Sequence, residues 1–168
     1  MISKNTLLNS LDNMNIAYQI KEHEAFHTVK DSEKKRGKIK GAHTKNLFLK
    51  NKKKQFFLFS CLEDTNINLK KLSKKLSLGN LSFANSDYLF ELLGVPPGSV
   101  TPFGLLNDFK NEVSFYLDYN ILNYKNVSFH PLVNTSTLNL SLKDFMNFLV
   151  ENKKKINIFD FNTYTLKE

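Results

Sequence analysis

Apolar residues recur along the chain with two periods, and the switches between them mark out the elements. Leu7, Leu8, Leu11 and Met14 keep helical spacing behind a capping Ser3 or Asn5, and Ile16–Ile20 then reads as a strand. Leu47-Phe48-Leu49 and Gln55–Phe59 flank Lys50-Asn51-Lys52-Lys53-Lys54, which predicts a hairpin with a solvated basic turn. Leu69, Leu72, Leu76 and Leu78 outline a helix with lysines on its other face; Leu81-Ser82-Phe83 is strand-like; Ser86 caps a helix over 87–93 that stops at Gly94. Further strands are predicted over Glu112–Asp118 and Asn126–Phe129, so the sheet is largely antiparallel. A final helix starts at Ser141 with Asp144 in its first turn. Leu142, Phe145, Phe148 and Leu149 form its buried stripe, and Lys153-Lys154-Lys155 end it to suit the dipole. Ile156–Phe161 adds a strand, and Asn162–Glu168 is expected to be a loose tail. The charged run from Asp31 to Lys40 reads as a polar helix or loop over the sheet. No internal repeat or linker interrupts the pattern, which predicts one domain over 1–161 and a tail over 162–168.

Composition changes this picture in two places. At 168 residues with 41% hydrophobic positions, fifteen of the aromatics being Phe, the chain is long enough for a core without crosslinks or metals. The formal charge of +8 favours a polyanionic partner such as nucleic acid, although abundant Lys, Asn, Ile and Phe also suit a coding bias toward A and T. Cys61 is the one cysteine, which excludes an internal disulfide and points to a reducing compartment. It follows an apolar strand and is expected in the core. Met1-Ile2-Ser3-Lys4-Asn5 lacks the pattern of a secretory signal, and no segment approaches the roughly 18–20 apolar residues of a membrane span. A soluble, cytoplasmic protein is expected.

The familiar chemistries find little support. His23, His27, His43 and His130 show no H-x-x-x-H spacing and no carboxylate–histidine cluster, so no metal is expected. G-x-S-x-G is absent, and Gly98 lacks the downstream Gly-Lys-Ser/Thr of a phosphate-binding loop. What remains is a site that positions its substrate, with backbone groups orienting a carbonyl and water and a lysine holding a phosphate.

Three ordered motifs are compatible with such a site: Gly41-Ala42-His43-Thr44-Lys45-Asn46-Leu47-Phe48-Leu49, Gly98-Ser99-Val100-Thr101-Pro102 and His130-Pro131-Leu132-Val133-Asn134. Together they resemble the YbaK/ProX family of aminoacyl-tRNA deacylases, in its stand-alone ProX-type branch, similar to the editing insertion of bacterial prolyl-tRNA synthetases. Leu92 to Asp108, with Pro96-Pro97-Gly98 at its centre, favours that branch over the cysteine-selective one. The resemblance implies an α+β fold, a curved, mostly antiparallel mixed sheet approaching a barrel and flanked by helices. It implies hydrolysis of mischarged Ala-tRNA(Pro) in trans without a cofactor. The partners would be aminoacylated tRNA(Pro) and, transiently, prolyl-tRNA synthetase, with neither membrane nor DNA. A cysteine- or serine-specific deacylase and a non-catalytic binder of tRNA ends or of the synthetase are the alternatives.

The same resemblance implies the roles of residues. Lys45 anchors the phosphate of the terminal adenosine, Gly98 and Ser99 cradle the ester and water with Val100, Thr101 and Pro102 completing the loop, and His130 walls the pocket. Asn134 either caps its turn or meets substrate. His43, Thr44 and Asn46 are further candidates to line the pocket, and Phe26 is a candidate for the size sieve that admits a methyl side chain and excludes proline.

Overall fold

The computed structural model describes residues 1–25, 30 and 39–168. Helix α1 (Lys4–Asn13) begins behind Ser3, whose hydroxyl accepts the Thr6 amide and satisfies a donor that a first helical turn leaves without a partner. Leu7 and Leu11 turn inward and are fully buried. Strand β1 (Tyr18–Glu22) follows slightly later than its apolar run suggests, with Ile16 buried ahead of it.

Strands β2 (Ala42–Lys50) and β3 (Phe56–Leu62) form the expected hairpin, antiparallel from Thr44 opposite Leu62 to Lys50 opposite Phe56. Its turn is held by buried Asn51. The Asn51 side-chain carbonyl accepts the amides of Lys53 and Gln55, and its amide donates to Gln55 Oε1 and to the Leu78 carbonyl. Helix α2 (Leu69–Leu76) is capped by Asn68 and ends at left-handed Ser77. After β4 (Ser82–Phe83), helix α3 (Ser86–Leu93) is capped by Asn85, whose side chain accepts the Tyr88 amide at 3.0 Å. The cap therefore lies one residue before the expected Ser86. Gly94 ends this helix in the left-handed region, as expected.

A 3-10 segment (Pro102–Asn107) leads to β5 (Val113–Asp118), and a second one (Tyr119–Asn123) to β6 (Asn126–Phe129). Strand β7 (Ser136–Ser141) has no counterpart among the predicted elements. Helix α4 (Leu142–Glu151) starts as predicted, the Ser141 hydroxyl accepting the Asp144 amide, and buries the expected stripe. The three lysines do not end it. Asn152 is the C-cap, and Lys154 instead donates to the Asp108 carbonyl at 2.6 Å and to Asn111 Oδ1 at 2.8 Å. The expected loose tail is also corrected: after β8 (Asn157–Asp160), strand β9 (Thr165–Lys167) pairs antiparallel with it and Tyr164 is buried. Tyr164 packs on Phe159 and Phe161, and Lys71 lies over its ring at 4.5 Å.

Among the described residues nine strands make one sheet in the order β1-β7-β6-β2-β3-β5-β8-β9, with β4 beside β2. The β2–β6, β3–β5 and β5–β8 pairs are parallel and the others antiparallel. This is the predicted α+β architecture, a curved, mostly antiparallel sheet flanked by helices. The curve stays open, because its end strands β1 and β9 pair with β7 and β8 and not with each other.

Alternation along β2 shows what covers each side of the sheet. Ala42 and Phe48 enter the larger core with Leu7, Leu11, Phe103 and Phe129; Leu47 and Leu49 face the other way, into a smaller core with Phe59, Cys61, Leu72 and Phe161, as a period of two requires. Cys61 is core, as expected, and burial pushes its thiol up to about 12. No helix among the described residues is long and apolar enough to cross a membrane.

Candidate functional site

The smaller core covers only part of its side of the sheet, and the remainder of that side is polar. Leu138 and Leu140 of β7, and Val127 and Phe129 of β6, enter the larger core. Strand alternation therefore puts Thr137, Asn139 and Ser128 on the opposite side, together with His43 and Lys45 of β2. Ser128, Thr137 and Asn139 are each at most 5% exposed, and buried polar groups need partners. They have them. The Asn139 side-chain amide donates to Ser128 Oγ at 2.8 Å and to the Lys40 carbonyl at 2.9 Å, and its carbonyl accepts from the Asn126 side chain at 3.0 Å.

Strand β6 runs parallel to β2 with His43 opposite Ser128; His130 follows directly after the end of β6, while β2 continues through Lys45. His130 Nδ1 lies 3.0 Å from the Ser136 carbonyl. A carbonyl only accepts, so Nδ1 carries the proton and the neutral ring keeps Nε2 as its acceptor. His23 sits beside it, ring centroids 6.5 Å apart, with Nδ1 2.7 Å from the Glu24 carbonyl and Nε2 2.8 Å from Thr137 Oγ1. His43 Nε2 donates to the Ile39 carbonyl at 2.7 Å.

Burial holds the His130 imidazolium below the ordinary histidine range; the Ser136 carbonyl opposes that shift and His23 adds to it. The unfolded chain then takes up this proton first. As pH falls below about 6.5, the ordinary histidine value, the unfolded state gains a proton that the folded state resists, and stability drops until the folded value is passed. The midpoint of thermal unfolding should be lower at pH 5.5 than at pH 7.5, and His130→Gln should narrow that difference. An unchanged difference in the variant would remove His130 as its source.

The Gly98 loop meets this edge from the side. Gly98 is exposed with φ +88°, and a Cβ placed on it would stand 3.3 Å from Asn134 Nδ2. The tip of the loop thus touches the turn that begins at His130. The rest of the loop is anchored. Val100 packs on the larger core, Thr101 and Pro102 are buried, and Thr101 Oγ1 accepts the Phe103 amide. Ser99 is 1% exposed and its amide donates to the Pro96 carbonyl at 3.2 Å. Its side chain is closed to solvent, and it shapes the loop from within. On the other side of the contact, Leu132 is buried at φ +69°, a conformation unfavourable for a branched side chain, held here by its surroundings.

Lys45 is half-buried, and its ammonium donates to the Thr65 carbonyl. Thr65 lines an open cavity of about 470 Å³ whose wall includes Asn66, Asn120, Asn123, Tyr124 and Asn162. Thr44 and Asn46 point to the opposite side of the sheet from Lys45. The Thr44 hydroxyl donates to the Ser128 carbonyl at 2.7 Å, and Asn46 Oδ1 accepts from Ser60, so these two tie β2 to its neighbours. Phe26, His27 and most of the charged run after Asp31 lie outside the described residues.

The structure therefore gathers Gly98, Asn134 and His130 at one edge, with His43 and Lys45 on the adjoining strand. His23, Ser128, Thr137 and Asn139 of this area are not among the residues that the motifs bring out. The alternation Thr137-Leu138-Asn139-Leu140 was the signal for the β7 pair.

The same motifs carry the comparisons with known proteins. The family described as the aminoacyl-tRNA editing domain matches residues 23–148. A prolyl-tRNA synthetase associated domain-containing protein 1 from Xenopus laevis is 40% identical over 148 residues, covering 85% of this chain and 88% of its own. The prolyl-tRNA editing protein ProX from Acetoanaerobium sticklandii is 35% identical over 153 residues, covering 90% of this chain and 93% of its own. A solved structure of a candidate trans-editing enzyme for prolyl tRNA synthetase superposes with a TM-score of 0.68 at 21% identity, over 100% of this chain and 99% of that one. With its three motifs on one rim of the sheet and most of its length matched, the chain belongs to the aminoacyl-tRNA editing domain family, of the YbaK/ProX type.

Proposed function

We propose that the protein hydrolyses the ester joining alanine to the terminal adenosine of mischarged tRNA(Pro). Family membership supports the general part, an aminoacyl-tRNA deacylase acting in trans. The names of the relatives support the finer part, prolyl tRNA and association with prolyl-tRNA synthetase. The observation that carries the reading is the approach of Gly98 to Asn134, whose Nδ2 would stand 3.3 Å from a Cβ at Gly98, in the turn that follows His130. That is an edge where exposed backbone meets the segment that carries an imidazole. The place of action is the cytoplasm.

In this mechanism Lys45 exchanges the Thr65 carbonyl for the phosphate of the terminal adenosine, a charge-assisted bond stronger than a neutral one. The backbone at Gly98 orients the ester carbonyl and stabilises the charge that develops on its oxygen. Water adds to the carbonyl carbon, the bond to the ribose oxygen breaks, and that oxygen takes a proton, releasing alanine and tRNA. His130 walls the pocket and keeps Nε2 as an acceptor. A pocket closed around a methyl group excludes the proline ring. A methylene-scale difference gives a synthetase only about 1–3 kcal/mol of discrimination, which is why a separate check is useful.

Purified protein should hydrolyse Ala-tRNA(Pro) faster than Cys-, Ser- or Pro-tRNA(Pro). Preference for the cysteinyl or seryl ester would reassign the specificity, and tight binding of tRNA with no turnover on any ester would make the chain a binding module. Lys45→Ala should lower kcat/KM by about tenfold, the low end of what one hydrogen bond to a charged group contributes, with Lys143→Ala, exposed on α4, as the control. Equal activity of the two variants would remove Lys45 as the anchor.

A further inference from the structure

We infer that α2 and the β2–β3 turn form the docking surface for the tRNA acceptor stem, a reading that rests on the editing function proposed above. Lys70, Lys71, Lys74 and Lys75 of α2 and Lys52, Lys53 and Lys54 of the turn are all exposed. The hydrogen bond from Asn51 to the Leu78 carbonyl fixes the turn against the end of α2. At the opposite end of α2, the bond from Lys45 to the Thr65 carbonyl brings the proposed anchor close to the helix start. The cations therefore form a track that leads away from Lys45 along α2, roughly 12 Å for eight residues, and continues onto the turn.

Lys71 lies over the Tyr164 ring and Lys74 and Lys75 suit the last turn of α2, but the density of cations exceeds what these contacts use. Between Ile39 and Ser86 the acidic residues are Glu63 and Asp64, next to Thr65 at the start of the track, and none lies on α2 or in the β2–β3 turn. Lys70 with Lys74, and Lys71 with Lys75, stand at i,i+4, where like charges repel. Lys70 and Lys71 also occupy the first turn of α2, the end at which the helix dipole disfavours cations, and no acidic residue is present there. A polyanion laid along the track relieves all three costs. The unpaired 3′ end of an aminoacyl-tRNA leaves its stem at a distance from the ester, so a stem docked on the track leaves that end free to reach Lys45. On this track the cations would meet the stem through its phosphates.

The test compares two triple variants of equal charge, Lys52→Gln/Lys74→Gln/Lys75→Gln on the track and Lys143→Gln/Lys153→Gln/Lys155→Gln elsewhere on the surface. Each is assayed on Ala-tRNA(Pro) and on an alanylated terminal trinucleotide that has no stem. The track variant should lose about tenfold or more in kcat/KM on the full tRNA, with a dependence of log K on log salt shallower by about 2.7 units for three lost phosphate contacts on a duplex. It should match wild type on the trinucleotide, and the control triple should match it on both. Equal losses in the two triples, a loss that extends to the trinucleotide, or no loss at all would overturn the surface. Wild-type protein inert on both esters would instead overturn the editing reading. The salt slope for uncharged tRNA(Pro) would still decide the surface, which stands if only the track triple flattens it and falls if the triples agree.

Discussion

Replacing Gly98 with valine should slow single-turnover hydrolysis of Ala-tRNA(Pro) by about 100-fold, the cost of a displacement on the order of 1 Å at a reacting centre. The residue sits at φ +88°, where a β-branched side chain is a genuine outlier. Its new Cβ would also press on Asn134 Nδ2 at 3.3 Å. Because Gly98 is exposed at the tip of an anchored loop, the backbone strain of about 1–3 kcal/mol is relieved by moving the tip, which is the part that faces the ester. Both readouts come from one preparation: single-turnover rate and thermal unfolding. A folded Gly98→Val protein that hydrolyses at the wild-type rate would end the cradle assignment.

Phe103→Ala should cost about 3–5 kcal/mol of stability, the range for emptying a buried aromatic site. Phe103 is fully buried at the start of a 3-10 segment, and its ring is edge-on to Phe129, Phe145 and Phe148 at 6.0, 5.7 and 6.0 Å. It therefore joins β6, α4 and the stem of the Gly98 loop in one cluster. For a chain of this size that loss corresponds to a fall of roughly 6–20 °C in the midpoint of thermal unfolding, read alongside the urea midpoint. A shift under 2 °C would mean that the cluster repacks and that Phe103 is not its centre.

The amphipathic helices and the β2–β3 hairpin were legible in the sequence because each is encoded locally, by spacing and by a cap such as Ser3 or Ser141. The errors share a cause in distant partners. Strand β7 was missed because Ser136 and Asn139 are poor strand formers by themselves and Ser141 reads as a helix start; the segment is a strand because β1 and β6 pair with it on both sides. The tail was misjudged because Tyr164 is buried by Phe159, Phe161 and Lys71 rather than by any local pattern. At the candidate site, the motifs bring out Lys45, Gly98 and His130 one at a time. The approach of Gly98 to Asn134 and the parallel pairing of β2 with β6 join distant segments, which no short window of sequence contains. Thr44 and Asn46 show the converse, since adjacency to Lys45 in sequence places them on the other side of the sheet.

The edge position of β1 has a kinetic consequence. Among the described residues its one neighbour is β7, and the bond from the Ser136 hydroxyl to Glu22 closes a loop of 114 positions. At about 5–20 residues per second of synthesis, β1 waits roughly 6–20 s on the ribosome before its partner is made, with its backbone donors and acceptors open. Contacts this distant slow folding, because the closure entropy must be met before they form. Lys21 and Glu22, both exposed, place charge on that waiting strand and discourage it from pairing with a neighbouring chain in the interval.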